Sequence, residues 1–142
     1  MTYQYNDGGR EAAGYKGKAG DCVVRAIAIA VELPYKDVYT AINQLGKSER
    51  TGRRKKGKSS ARKGVYKQTI NRYLERLGWR WTPTMQIGSG CTVHLRADEL
   101  PAGRLIVSVS RHMVAVIDGV IHDTHDCSRE GTRCAYGYWQ KV

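Results

Sequence analysis

"HMVAVIDGVIHDT", residues 112–124, sets Asp118-Gly119 between two apolar alternating runs, the strongest short-range signal for a two-residue β-hairpin. Such a turn pairs Ile117 with Val120, Val116 with Ile121 and Ala115 with His122. Carried outward, the register sets Val114 opposite Asp123 and His112 opposite His125. Side chains alternate along a strand, so His112, Val114 and Val116 share a face with Ile121, Asp123 and His125. His112 and Asp123 are then diagonal neighbours, about 7–8 Å apart at the backbone, a gap that long side chains bridge. Asp118 is excluded as a partner because it lies six residues along the strand from His112, roughly 20 Å away. His122 points to the opposite face.

Working outward, strands are expected at 79–82 (WRWT), 91–95 (CTVHL), 104–110 (RLIVSVS) and 136–139 (YGYW). Upstream of Gly78 the period changes to that of a helix. "AGDCVVRAIAIA", 19–30, predicts a helix from Cys22 to about Glu32, with Asp21 as N-cap and almost no polar face except Arg25, as expected of a central buried helix. Pro34 opens a second helix carrying Val38, Tyr39, Ile42 and Leu45, stopped by Gly46. A third carries Tyr66, Ile70, Tyr73, Leu74 and Leu77, stopped by Gly78. Residues 1–20 read as an approach loop. Helices first and strands second make the class α+β, with N-terminal helices packed on a C-terminal antiparallel sheet.

The chain's 142 residues suffice for one domain, 1–142. No apolar run approaches the roughly 20 residues of a bilayer span, and no signal-peptide core is present at the start. A cytoplasm is the expected location, no membrane partner is expected, and the four cysteines are expected to be thiols there. Of the net charge of +11, +8 comes from 47–63, "KSERTGRRKKGKSSARK", nine basic residues against Glu49. This segment is expected to be a flexible basic insertion. Arg50, Arg53, Arg54, Lys55, Lys56, Lys58, Arg62 and Lys63 could hold a phosphate backbone or an acidic protein through counterion release. It has no aromatic residue to stack on bases and no apolar period to enter a groove, so specific base reading is not expected.

A cysteine at a helix N-terminus meets free N–H groups and a partial positive charge, which favour a thiolate and can hold an oxyanion. A histidine beside it moves the proton, and a carboxylate fixes the ring. No cofactor is needed for that chemistry.

"GDCVVRAIAIA" followed by "RHMVAVIDGVIHDT" resembles the papain-like cysteine peptidase superfamily, particularly its small bacterial and bacteriophage-encoded members. The likeness lies in the order: helix-borne Cys, His at a strand start, Asp on the next strand. The resemblance implies a papain-like fold and a protein or peptide substrate. Cys22 would be the nucleophile, His112 the general base and acid, and Asp123 the orienting residue. If the protein is phage-encoded, the location is the host cytoplasm. Papain-like enzymes usually carry a Gln a few residues before the Cys to complete the oxyanion hole. Here "YKGKAGD" precedes it, and Lys16, Gln4 or Asn6 are the candidates for that place.

Three other readings compete. "HDTHDCSREGTRC" offers His122, His125, Cys127 and Cys134 as zinc ligands, although the two histidines face opposite ways along a strand. Cys91 reads as a packed residue at a strand start, and Tyr136, Tyr138 and Trp139 as core or sheet cover. On the same fold, a chain without turnover could instead act by docking its basic segment on nucleic acid or on an acidic host protein.

Overall fold

A computed structural model describes residues 1–51 and 57–142. The chain runs β1 (Thr2–Tyr5), α1 (Cys22–Val31), α2 (Tyr35–Lys47), α3 (Lys67–Arg76), β2 (Trp79–Pro83), β3 (Arg104–Val109), β4 (His112–Ile117), β5 (Val120–Asp123) and β6 (Ala135–Lys141). The architecture is α+β: three helices and one six-stranded mixed sheet in the order β1-β5-β4-β3-β6-β2.

The hairpin register matches the sequence reading, with Ile117 opposite Val120, Val116 opposite Ile121 and Ala115 opposite His122. Asp118 and Gly119 both hold positive φ, 47° and 77°, the conformation that a tight hairpin turn of this kind requires. The Asp118 carboxylate also accepts the Gly103 N–H at 2.7 Å, tying this turn to the approach to β3.

Two expectations about the sheet are corrected. The N-terminal segment is no mere approach loop: β1 pairs in parallel with β5, Thr2 opposite Val120 through Tyr5 opposite Asp123, so the sheet is mixed rather than antiparallel. Four residues with aromatics on one side are too short to stand out by period, and only the exposed edge of β5 recruits them. Residues 91–95 form no strand. His94 makes a single bridge to Cys134, and Leu95 is fully buried without a ladder.

β3 and β4 are buried on both faces, which explains their nearly continuous apolar runs. On one face Ile106, Met113, Ala115 and Trp139 pack with α1, α2 and α3. On the other, Leu105, Val107, Val114, Val116 and Ile121 pack under Leu95, Leu100 and Cys127 from the connecting segments. The alanines of α1, all buried, let that helix lie close on β4.

The basic segment is more closely tied to the core than its composition suggests. Ala61 is fully buried, Ser59 nearly so, and the Ala61 N–H is received by Asn43 Oδ1 at 2.9 Å. Glu49 accepts from the Ser59 backbone and from the Ser59 and Thr69 hydroxyls. Gly46 is required where α2 meets this segment, because a Cβ there would stand 2.3 Å from the Ser59 carbonyl oxygen. Although 47–63 carries no core-facing period, Ser59 and Ala61 of that segment are buried against α2 and α3. Arg53, Arg54, Lys55 and Lys56 lie outside the described residues. No helix among the described residues is long and apolar enough to cross a membrane.

Candidate active site

Cys22 is the first residue of α1. Asp21 holds the N-cap position but makes no cap hydrogen bond. Its buried carboxylate turns instead to the Arg25 guanidinium, to Arg10 Nε at 3.4 Å and to the Tyr35 hydroxyl, which donates at 2.6 Å. The first-turn N–H groups of α1 are thus left without that cap, and the negative charge beside the thiol is neutralised by two arginines. Arg25, the lone polar residue in an apolar helix, also reaches Asp123 Oδ1 at 3.3 Å. One guanidinium joins the residue before the cysteine to the carboxylate of the hairpin.

His112 and Asp123 meet as the register requires. His112 opens β4, Asp123 closes β5, and Nε2 lies 2.6 Å from Asp123 Oδ2. The other Asp123 oxygen accepts the Thr124 N–H at 2.7 Å. Both free thiols act on the imidazole's charge, Cys22 from the start of α1, where it lines a cleft with His112, and buried Cys127 from the loop layer. His125 lies beside the ring, tilted 44° to it, with centroids 5.3 Å apart.

The electrostatics favour an ion pair. Burial pushes the Cys22 thiol up, but the hydrogen bond and charge of His112, a bond from the Met113 backbone and the Arg25 charge outweigh it, and its value falls below that of a free thiol. Burial pulls His112 down, yet its bonds to Asp123, Cys127 and Cys22 carry it up to about 11. Burial likewise raises Asp123, and His112, the Thr124 amide and Arg25 bring it below the ordinary carboxylate range. The directions of these shifts favour a thiolate–imidazolium pair, with the imidazole hydrogen-bonded to the Asp123 carboxylate.

A cleft of about 540 Å³ opens on this chain. Gly20, Cys22 and Val23 form one wall, and Ser108, Val109, Arg111, His112 and Met113 another. Val65, Ile70, Trp81 and Trp139 supply an apolar floor, and Lys63, Lys67, Asn71 and Tyr136 a polar rim. Arg111 holds φ 55° in the turn between β3 and β4, a conformation that non-glycine residues adopt rarely and often beside functional sites. The pairing of β3 with β6 shifts register between Ser108 and Val109, at the same wall.

The other sequence candidates fall elsewhere. Gln4 pairs with His122 on the far side of the hairpin, and Asn6 Nδ2 lies 3.4 Å from His122 Nδ1. Lys16 lines a separate hollow with Tyr5, Asp7 and Asp21. None of the three lines the Cys22 cleft. The side-chain amide that does is Asn71 of α3, whose place on a helix 49 residues from Cys22 left no local signal.

The zinc set His122, His125, Cys127 and Cys134 is not assembled. Cys134 is bonded to Cys91, His122 faces the helix layer, and Cys127 lies against His112. The expectation of four thiols is corrected in the same way: Cys91 and Cys134 form a disulfide, leaving Cys22 and Cys127 free. Cys91 is exposed rather than packed. Trp139 is core, as expected, whereas Tyr136 is 40% exposed at the cleft rim.

Comparison with known proteins returns no matching family model, curated protein or solved structure.

Proposed function

We propose that this chain is a papain-like cysteine hydrolase or acyl transferase acting on an amide or ester through Cys22, His112 and Asp123. The observation that carries the reading is a helix-terminal thiol sharing one cleft with an imidazole that is hydrogen-bonded to a buried carboxylate.

The Cys22 thiolate attacks the carbonyl carbon, and the negative charge on its oxygen is received by the uncapped N–H groups at the start of α1. His112 then donates its proton to the departing amine or alcohol, leaving an acyl group on Cys22. Water, or another acceptor, loses a proton to His112 as it attacks that acyl group, and the thiolate is restored. Asp123 keeps Nε2 engaged throughout, which leaves Nδ1 to exchange the proton and stabilises the imidazolium. Apart from Cys22 and His112, the charged residues lining the cleft are Lys63, Lys67 and Arg111, and no carboxylate lines it among the described residues. This favours a protein or peptide substrate with acidic residues beside the scissile bond. The activity belongs in a cytoplasm.

Loss of turnover, with docking on nucleic acid or an acidic host protein, is the second reading. It is favoured by the absence of Lys16, Gln4 and Asn6 from the cleft.

An activated aryl ester separates the two. An acylating enzyme releases a burst of phenol equal to the protein present and gains the acyl mass on Cys22. A folded protein that gives no burst and no adduct is not this enzyme.

A further inference from the structure

The loop layer on the far side of the sheet gathers a second set of sulfur, imidazole and carboxylate groups. The Sγ atoms of Cys91 and Cys134 and an imidazole nitrogen of His94 lie within 4.8 Å of one another. His94 Nε2 is 3.4 Å from Cys91 Sγ, and Nδ1 is 3.2 Å from Glu99 Oε1. The other Glu99 oxygen is 3.2 Å from Arg96 Nε, which steadies the carboxylate. The backbone fixes the set as well: His94 bridges Cys134, Leu95 donates to Arg133 at 2.8 Å and Ala135 donates to Val93 at 2.9 Å.

We propose that, with Cys91 and Cys134 as thiols, Cys91, Cys134 and His94 bind one thiophilic divalent cation, Zn²⁺ foremost, with Glu99 orienting the imidazole. Two thiolates and one imidazole form a borderline-soft donor set suited to zinc, with the fourth tetrahedral position left to water. A carboxylate on the far nitrogen of the ring is the usual support for a metal-bound histidine, because it sets the tautomer and the ring angle. A disulfide has no use for either group. Cys91 is exposed, so an ion can enter from solvent.

The disulfide and the metal site are alternative states of one pair of sulfurs. A dithiol reductant supplies two electrons and two protons, becomes a disulfide itself and leaves Cys91 and Cys134 as thiols. Zn²⁺ then displaces the two thiol protons to solvent. Either state ties the 91–95 segment to the start of β6, so the loop that caps the second core layer stays closed in oxidising and reducing surroundings alike. The inference does not depend on the activity of Cys22.

The test loads full-length protein with Co²⁺ or Zn²⁺ after reduction by a phosphine and removal of air. The expected result is one ion per chain by native mass spectrometry and thiolate-to-cobalt charge-transfer absorption, both lost when the disulfide is re-formed. Cys134→Ser and His94→Ala should lose stoichiometric binding. Glu99→Gln should weaken it by about 10- to 100-fold, and His125→Ala should leave it unchanged. His94→Ala keeps the disulfide, so its fold can be checked in the oxidised state before reduction. The proposal is overturned if the reduced protein takes up no stoichiometric ion. It is also overturned if His125→Ala abolishes uptake while His94→Ala does not, which would place the ion at the neighbouring group of His112, Asp123 and His125.

Discussion

Cys22, His112 and Asp123 have the same residue types in the same order of contact as Cys91, His94 and an acid, Glu99, yet the two chains of groups stand in opposite surroundings. The His112 and Asp123 side chains are 11% and 3% exposed; those of His94 and Glu99 are 35% and 27%. Burial removes the water that would screen an ion pair, so charge at the first site is felt strongly, while exposed pairs are worth little. The first sulfur sits at the start of a ten-residue helix and faces a cleft. The second sits on a loop, and its valence is taken by Cys134. On the proposed reading, residue types near one another are not enough for nucleophilic catalysis: the helix terminus, the burial of the imidazole and carboxylate, and the cleft beside the sulfur set the first site apart.

The comparison breaks most visibly at the sulfurs. Cys22→Ala should abolish the acyl burst, whereas Cys91→Ser should leave it intact. An equal loss in both variants would mean that the disulfide side, not the cleft, holds the chemistry. Next in size, Asp123→Ala should slow turnover on the order of 10³- to 10⁴-fold with residual activity, as when an orienting carboxylate is lost. Glu99→Ala should not change the rate, and steady-state kinetics on the same ester reads both.

Arg25 tests the electrostatic half of the contrast. Arg25→Met leaves Asp21 and Asp123 buried with less counter-charge and should cost about 3–5 kcal/mol in urea unfolding. Arg96→Met, at the exposed chain, should cost at most about 1 kcal/mol. Comparable costs would contradict the assignment of Arg25 as the buried brace.

The pH dependence follows from the directions of the shifts. Because the Cys22 value is lowered, the thiolate persists below the ordinary thiol range and turnover is lost only as pH falls through that lowered value. Because His112 is raised to about 11, its proton is available to the leaving group until pH rises through that value. The stability that His112 gains from its partners is complete below its ordinary 6.5 and disappears as pH climbs towards 11. In His112→Ala, iodoacetamide reactivity of Cys22 should shift upward in pH towards the ordinary thiol value of about 8.5. An unshifted profile would show that the imidazole does not form the thiolate. The smallest effect belongs to Asp118→Asn, which keeps an acceptor for the Gly103 N–H and lies away from the cleft. Both its activity and its unfolding midpoint should match the parent protein.

Much of the first site is local in origin and was therefore legible. A helix start, a two-residue turn and strand alternation are short-range rules, and they place Cys22 at the head of α1 and His112 and Asp123 on one face of the hairpin. The basic segment shows where composition misleads. Its charge reads as solvated loop, while Ser59 and Ala61 between the cations are drawn into the core by Asn43 and Glu49.

By itself the sequence determined the three helices, the hairpin register and the face shared by His112 and Asp123, because each depends on residues a few positions apart. Only the tertiary structure decided the rest. It set β1 parallel to β5, turned Asp21 away from its cap towards Arg25, joined Cys91 to Cys134 across 43 residues and brought Asn71 to the cleft rather than Lys16, Gln4 or Asn6. These are contacts between distant segments, chosen by which layers pack together and which buried charges need a partner, and no local period or spacing carries that choice.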